Sequence, residues 1–75
     1  MHSMEQIQIA KNVAFLQTEM VEFIKVEIRP EEPDSIYVYG LWYDLDDHYK
    51  PDMSAPMLQR YARVTNGKID LVDGV

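Results

Sequence analysis

Apolar and polar residues alternate in two runs of the chain, at 23–29 and 35–43, and the alternation predicts a β-hairpin. The charged segment 30–34 between them begins with one proline and contains a second. It has the composition of a turn, because Pro restricts φ and Asp forms hydrogen bonds with the local backbone. A five-residue turn predicts three cross-strand pairs that place the branched side chains on one face: Ile28 with Ile36, Val26 with Val38, and Ile24 with Gly40.

The predicted hairpin separates its side chains onto two faces. The face expected to form the core holds Ile24, Val26, Ile28, Ile36, Val38 and Trp42. The opposite face mixes large apolar and charged residues: Phe23, Tyr37, Tyr39, Leu41 and Tyr43 with Lys25, Glu27 and Arg29. Gly40 inside a strand indicates either a bulge or a close approach by the helix or by the Trp42 ring.

A helical repeat precedes the hairpin. Its apolar residues recur at spacings of four and three along one predicted stripe: Ile9, Val13, Leu16, Met20 and Phe23. This pattern predicts a helix from Met4 to Thr18, with Ser3 and Gln6 in a capping box. Since neither Gly nor Pro marks the end of the helix, an alternative continues it to Ile24. The β-branched residues of the first strand argue against that alternative.

A second hairpin is predicted around Asn66-Gly67, a dipeptide that suits the positive φ angles of a type I′ turn. This turn sets four cross-strand pairs: Val64 with Ile69, Ala62 with Leu71, Arg63 with Asp70, and Tyr61 with Val72. The aliphatic matches and the ion pair agree on one register. In the alternative, Ser54 caps a short helix over Met57–Arg63.

The predicted fold is an α+β domain in the order α-β-β-loop-β-β. An N-terminal helix packs on the Ile/Val face of a mostly antiparallel four-stranded sheet. One domain spans residues 1–75, with residues 44–56 as a long polar loop. Residues 1–3 are expected to be disordered or to be left over from expression, because Met4 can serve as the natural start.

Charge and composition narrow the classes of function. The net charge is −6, and residues 19–47 carry nine acids against Lys25 and Arg29. Such a field argues against ordinary nucleic-acid binding and favours a basic protein partner, although acids also serve solubility. The chain contains no cysteine and no apolar run long enough to span a bilayer, so we expect a cytoplasmic protein without a membrane partner.

Candidate chemistry is sparse. The loop that holds Asp44, Asp46 and His48 resembles a calcium loop, but an EF-hand needs Gly and Glu where this chain has Tyr49 and Ala55. We expect His48 to be a surface residue, and we assign no catalytic residue, metal ligand or cofactor. A divalent-metal or enzymatic site at Asp44–Asp52 remains as an alternative function.

The preferred hypothesis is a small acidic, non-enzymatic interaction protein, bacterial or phage-encoded, that binds a protein partner or a second copy of itself. The proposed contact surface is a tyrosine-rich sheet face without a helix to cover it: Tyr37, Tyr39, Leu41, Tyr43, Tyr61 and Arg63. Tyrosine and arginine are enriched at protein interfaces. The second hypothesis is a phage-type inhibitor whose acidic band, from Glu19 to Asp47, mimics nucleic-acid charge.

Overall fold

The computed structural model describes residues 4–72, so the predictions for residues 1–3, including the cap at Ser3, lie outside the described residues. The fold is the predicted α+β arrangement, with one N-terminal helix on a four-stranded antiparallel sheet. In chain order the elements are α1 (Met4–Thr18), β1 (Glu22–Glu27), β2 (Ser35–Trp42), β3 (Asp44–Leu45), β4 (Pro51–Asp52), β5 (Leu58–Thr65) and β6 (Lys68–Val72).

The main sheet has the strand order β1-β2-β5-β6, and all three of its pairings are antiparallel. Strands β3 and β4 form a separate two-stranded ladder. The turns at 28–34 and 66–67 lie at one end of the main sheet, which we call the turn end, beside Ser35 and Thr65. Trp42 and Leu58 form the last pair of β2 and β5 at the opposite end, which we call the arm end.

The helix has the predicted bounds, but the predicted apolar stripe is wrong at Ile9 and Leu16. Its buried residues are Ala10 and Ala14, whereas Ile9 is 54% exposed and Leu16 is 83% exposed. Two small residues allow the helix backbone to lie close to β2, β5 and β6, which it contacts. The Ile9 and Leu16 side chains of the predicted stripe are therefore rotated toward solvent, whereas Val13 is half-buried and Met20, beyond the helix, is buried.

The helix ends at Thr18 because Glu19 adopts a left-handed backbone conformation, with a φ of 59°. This is the conformation that glycine usually provides after a helix. The Trp42 indole N–H donates to the Thr18 carbonyl oxygen at 2.8 Å and thereby satisfies a carbonyl of the last turn. The alternative in which the helix continues to Ile24 is wrong, since β1 begins at Glu22.

A β-bulge in β1 changes the predicted register of the first hairpin. Val26 pairs with Val38 as predicted, but Gly40 pairs with Phe23 instead of Ile24, and the register shifts between Phe23 and Lys25. Phe23 consequently packs against the core, and Ile24 is 43% exposed. The predicted Ile28–Ile36 pair is also absent, because β1 ends at Glu27, and Ile28 is 43% exposed.

The second hairpin follows the predicted register at all four pairs. Asn66 and Gly67 have φ angles of 49° and 79°, as a turn of this kind requires. The alternative helix over Met57–Arg63 is wrong, since Leu58–Thr65 is strand β5. Between β2 and β5, the segment expected to be an irregular loop contains the β3–β4 ladder. We call the whole connection between β2 and β5, residues 43–57, the arm.

The core lies between the helix and the sheet. It consists of Ala10, Ala14, Met20, Ile36, Val38, Trp42, Ala62 and Val64, with partly buried apolar residues around it. Of the six residues predicted for this core, Ile36, Val38 and Trp42 are buried and Val26 is half-buried. Ile24 and Ile28 were wrongly placed there for the reasons of register given above.

Candidate protein-interaction surfaces

The sheet face opposite the helix carries the predicted tyrosines, but two of them are not available to a partner. Tyr37 is 2% exposed and Tyr39 is 6% exposed. The side chain of Arg29 lies over the Tyr37 ring, with its guanidinium carbon 3.9 Å from the ring centroid. Lys25 lies over the Tyr39 ring, with its Nζ atom 4.7 Å from the ring centroid. The expectation that these rings are uncovered is therefore wrong.

The phenol groups of this face take part in an ionic network. Arg29 Nη2 donates to the Tyr39 hydroxyl at 2.9 Å, and Arg29 Nε lies 2.6 Å from Glu27 Oε1. Tyr37 donates to the carboxylate of Glu32. The Tyr61 ring packs between its neighbours, with centroid distances of 5.6 Å to Tyr37 and 5.2 Å to Tyr39. Arg29 therefore covers a ring and satisfies two polar groups at once, and Lys25 covers a second ring.

The network shifts the acid–base behaviour of its members. The hydrogen bond from Arg29 is the main reason why the pKa of Glu27 lies below its ordinary value, and the nearby positive charges add to the effect. The pKa of Tyr37 is raised because its hydroxyl donates to Glu32, and burial adds to this shift. Both shifts favour the protonation states that hold the layer together near neutral pH.

The structure gathers some of the six predicted contact residues and separates others. Tyr37, Tyr39 and Tyr61 share the network, and Arg63 joins it through Asp70 at 3.3 Å and Glu32 at 3.9 Å. Leu41 pairs with Glu22 and Gln59 on the same sheet face. Tyr43 is separate from the other predicted residues and lines a groove on the helix side of the molecule. The contact role of these residues stays a prediction.

The acidic residues of the arm organise its backbone. Asp46 Oδ1 accepts hydrogen bonds from the backbone N–H groups of His48 at 2.8 Å and Lys50 at 3.0 Å. Asp52 Oδ1 accepts from the Ser54 hydroxyl at 2.6 Å, and this bond is the main reason why the pKa of Asp52 is lowered. Within residues 4–72, no three His, Asp or Glu side chains come together as ligands for a metal ion.

A groove at the arm end was not anticipated from the sequence. Its walls come from four places: the end of the helix with the residues after it, the end of β2, the arm, and residues of β5 and β6. We call it the arm groove, and it encloses a volume of about 380 Å³. Apolar side chains dominate its lining: Val21, Trp42, Leu45, Pro51, Met53 and Leu71.

Several side chains of the arm groove remain open to solvent. Met53 is 76% exposed, Leu45 is 52% exposed and Val21 is 39% exposed. Trp42 itself is buried, because its indole is fixed to Thr18. The groove thus combines an aromatic residue held by two hydrogen bonds with flexible and accessible apolar residues on the arm.

Most acidic residues of the predicted band fall into two groups, while Glu27 lies in the ionic network of the sheet face. Glu31, Glu32 and Asp34 lie in the turn at the turn end. The acids after the helix and in the arm lie at the arm end: Glu19, Glu22, Asp44, Asp46, Asp47 and Asp52. The length of β2 separates the two groups by roughly 20–25 Å.

No protein-family model, curated protein or solved structure matches the chain significantly. Within residues 4–72, the single helix is too short and too polar to cross a lipid bilayer. Function is therefore inferred from the geometry and chemistry of the two surfaces.

Proposed function

We propose that this chain is a non-catalytic, cytoplasmic protein-interaction module that binds a segment of another protein in the arm groove. The observation that carries the proposal is the accessible apolar surface of that groove, which a protein of this size would otherwise bury. Contiguous exposed apolar surface on a small protein is typical of an interaction site. The lack of cysteine suits the reducing cytoplasm.

The distribution of exposed apolar residues supports the arm end as the docking surface. Seven of the eleven exposed large apolar side chains in residues 4–72 belong to segments at that end: Leu16, Val21, Leu45, Tyr49, Met53, Met57 and Leu58. This surface extends beyond the groove itself, so it suits a polypeptide better than a small molecule. Methionine side chains adapt their shape to a partner at low energetic expense.

The tyrosine face is a weaker candidate for docking. Its rings contact Arg29 and Lys25, and a partner would have to displace charged side chains that already have acceptors. We therefore assign the ionic layer a structural role, which is to cover the sheet face that lacks a helix. Arg29 and Lys25 cover this face of the sheet, and α1 covers the opposite face.

Selection of peptides from a displayed random library against the purified protein tests the proposal. The groove variant Leu45→Asn/Met53→Asn removes two exposed apolar side chains without changing the charge. The matched control Met4→Asn/Ile9→Asn removes an exposed Met and an exposed aliphatic residue from the helix. Circular dichroism should show that both variants fold like the wild type.

We expect enriched peptides to bind the wild type and the helix control alike, and to bind the groove variant about tenfold or more weakly. Chemical-shift mapping should place the contact at Trp42 and the arm. A library without enrichment would contradict the proposal, as would peptides that bind the groove variant as tightly as the wild type.

A further inference from the structure

The charge around the arm groove identifies the kind of segment that fits it. The segments that surround it, residues 19–22 and 42–60, carry six acids and two bases, a net charge of −4 at neutral pH. The remaining residues carry seven acids and five bases, a net of −2. The arm end is therefore the more negative part of an already acidic chain.

Most of these carboxylates are available to a partner. Glu19, Glu22, Asp44, Asp46 and Asp47 are exposed, and Asp52 is half-buried. A bound segment would meet apolar side chains in the groove and negative charge on its rim. A second copy of this chain would bring its own −6 charge to that rim, and like charges across an interface oppose association.

We infer that the occupant of the arm groove is a basic amphipathic segment of a different protein, with one or two large apolar anchors flanked by Lys or Arg. This inference rests on the proposed function and adds the chemistry of the partner. The apolar anchors contact Val21, Leu45 and Met53, and the flanking cations meet the acidic rim. Such a division gives affinity through the apolar contact and selectivity through the charge.

Three synthetic peptides, each about two helical heptads long, separate the two contributions. The first alternates Leu and Lys with helical periodicity. The second replaces each Lys with Gln, and the third replaces each Leu with Ser. Binding is measured by calorimetry at low and physiological salt.

Two triple variants of the protein test where the charge acts. Glu19→Gln/Glu22→Gln/Asp47→Asn removes three exposed charges at the arm end, none of which is seen to form an ion pair within residues 4–72. The matched control Glu5→Gln/Glu31→Gln/Asp34→Asn removes three exposed charges from the helix start and the turn end. Both variants change the net charge by the same amount.

We expect the Leu/Lys peptide to bind the wild type, and to bind more weakly as salt is added. The arm-end variant should weaken this binding about five- to tenfold, since each exposed ion pair contributes roughly a factor of two. The control variant should change it less than about twofold, because those charges lie farther away than the Debye length.

The other outcomes distinguish the inference from the proposed function. Equal binding of the Leu/Gln peptide, lost in the Leu45→Asn/Met53→Asn variant, would overturn the basic partner and leave the groove as a docking site. Equal binding of the Ser/Lys peptide would overturn both, since the groove would then contribute nothing. A dimer in sedimentation that the Leu/Lys peptide dissociates would show a second copy in the groove and overturn the inference.

Discussion

Gly40 occupies a crowded position in the sheet. A Cβ atom at this position would lie 2.3 Å from Met20 Sδ and 2.6 Å from the Glu22 carbonyl oxygen. These distances are far below van der Waals contact. The side chain of Met20 is buried, so it cannot easily move into solvent.

Gly40→Ala should therefore lower the free energy of unfolding by about 1–3 kcal/mol, measured by urea denaturation. The double variant Gly40→Ala/Met20→Ala should still be destabilised by the steric clash, because the Glu22 carbonyl oxygen belongs to the backbone and remains close to the new Cβ atom. Gly67→Ala is the control: nothing lies within 4 Å of its Cβ position, so only the strain of a φ of +79° remains. If Gly40→Ala lowers the free energy of unfolding by no more than Gly67→Ala does, the close approach of Met20 and Glu22 to Gly40 is wrong.

Glu19 ends the helix with a positive φ that its Cβ atom disfavours. Glu19→Gly should raise the free energy of unfolding by about 0.5–1 kcal/mol, because glycine adopts this conformation without strain. Glu19→Gln removes the same charge but keeps the Cβ atom, and it should change stability by less than about 0.5 kcal/mol. Thermal denaturation of both variants measures the difference. Equal melting temperatures for Glu19→Gly and Glu19→Gln would contradict the assignment of backbone strain to Glu19.

The ion pair between Glu27 and Arg29 predicts a pH dependence of stability. The folded pKa of Glu27 is lowered, so its contribution is present above the unfolded value of about 4.5 and is lost as pH falls through the folded value. Arg29→Met should flatten this part of the pH profile, because it removes the main cause of the shift. The profile is measured from urea midpoints between neutral pH and about pH 3.

Glu27→Gln should flatten the same part of the profile, and the double variant should add no further change. An unchanged slope in Arg29→Met would show that another group causes the dependence. The raised pKa of Tyr37 acts at the opposite end of the scale, since its contribution is present below the ordinary value and is lost as pH rises through the folded value.

At the scale of elements, the helix shows how small residues decide an orientation. Ala10 is 1% exposed and Ala14 is fully buried, while Leu16, two residues later and on the opposite side of the helix, is 83% exposed. Close approach of a helix to a sheet buries backbone and β-carbon atoms that larger side chains would keep apart. The helix is therefore held by its least bulky face, together with Ile7 and Phe15 at the margins.

Ala14→Leu should lower the free energy of unfolding by about 1–3 kcal/mol, because the added atoms have no space between α1 and the sheet. Leu16→Ala should change it by less than about 0.5 kcal/mol, since that side chain is mostly in solvent already. Chemical denaturation measures both. The predicted apolar stripe requires the reverse order, so a larger effect at Leu16 would restore that stripe and contradict the packing.

At the scale of the whole molecule, the arm is a separate unit built on the end of the sheet. The last pair of β2 and β5 is Trp42 with Leu58, so these strands can be joined directly once the arm is removed. Within residues 4–72, the two short strands of the arm ladder pair with each other and not with the main sheet. We therefore expect the helix and the main sheet to fold without the arm, which supplies Leu45, Pro51 and Met53 to the arm groove.

Replacement of residues 43–57 with Asn-Gly should keep the fold, because this dipeptide favours a two-residue hairpin turn. The shorter connection closes a smaller loop, so stability should change by no more than about 1–2 kcal/mol. Amide hydrogen exchange should remain slow in β2 and β5, while binding of the Leu/Lys peptide is lost. A chain that fails to fold would show that the arm is a structural element.

The sequence by itself determined the local features of this protein. Alternation predicted β1 and β2, the bounds of α1 were predicted correctly, and Asn66-Gly67 predicted β5, β6 and the register of their hairpin. These features depend on neighbouring residues and on a turn that admits one geometry, so the pattern contains what is needed. The pair Val26 with Val38 was predicted for the same reason, since it lies near the middle of its hairpin.

Only the tertiary structure decided the features that depend on contacts between distant segments of the chain. The close contact at Gly40 accompanies a bulge that exchanges Ile24 for Phe23 in the core, and two alanines, not the larger aliphatic residues, face the sheet. Arg29 folds back over Tyr37, which closes a face that alternation alone left open. The arm groove combines residues that are distant in the chain, from Val21 to Leu71, and no local pattern connects them. Contacts between distant segments have no periodic signal in the sequence, because their formation depends on the packing of the whole chain.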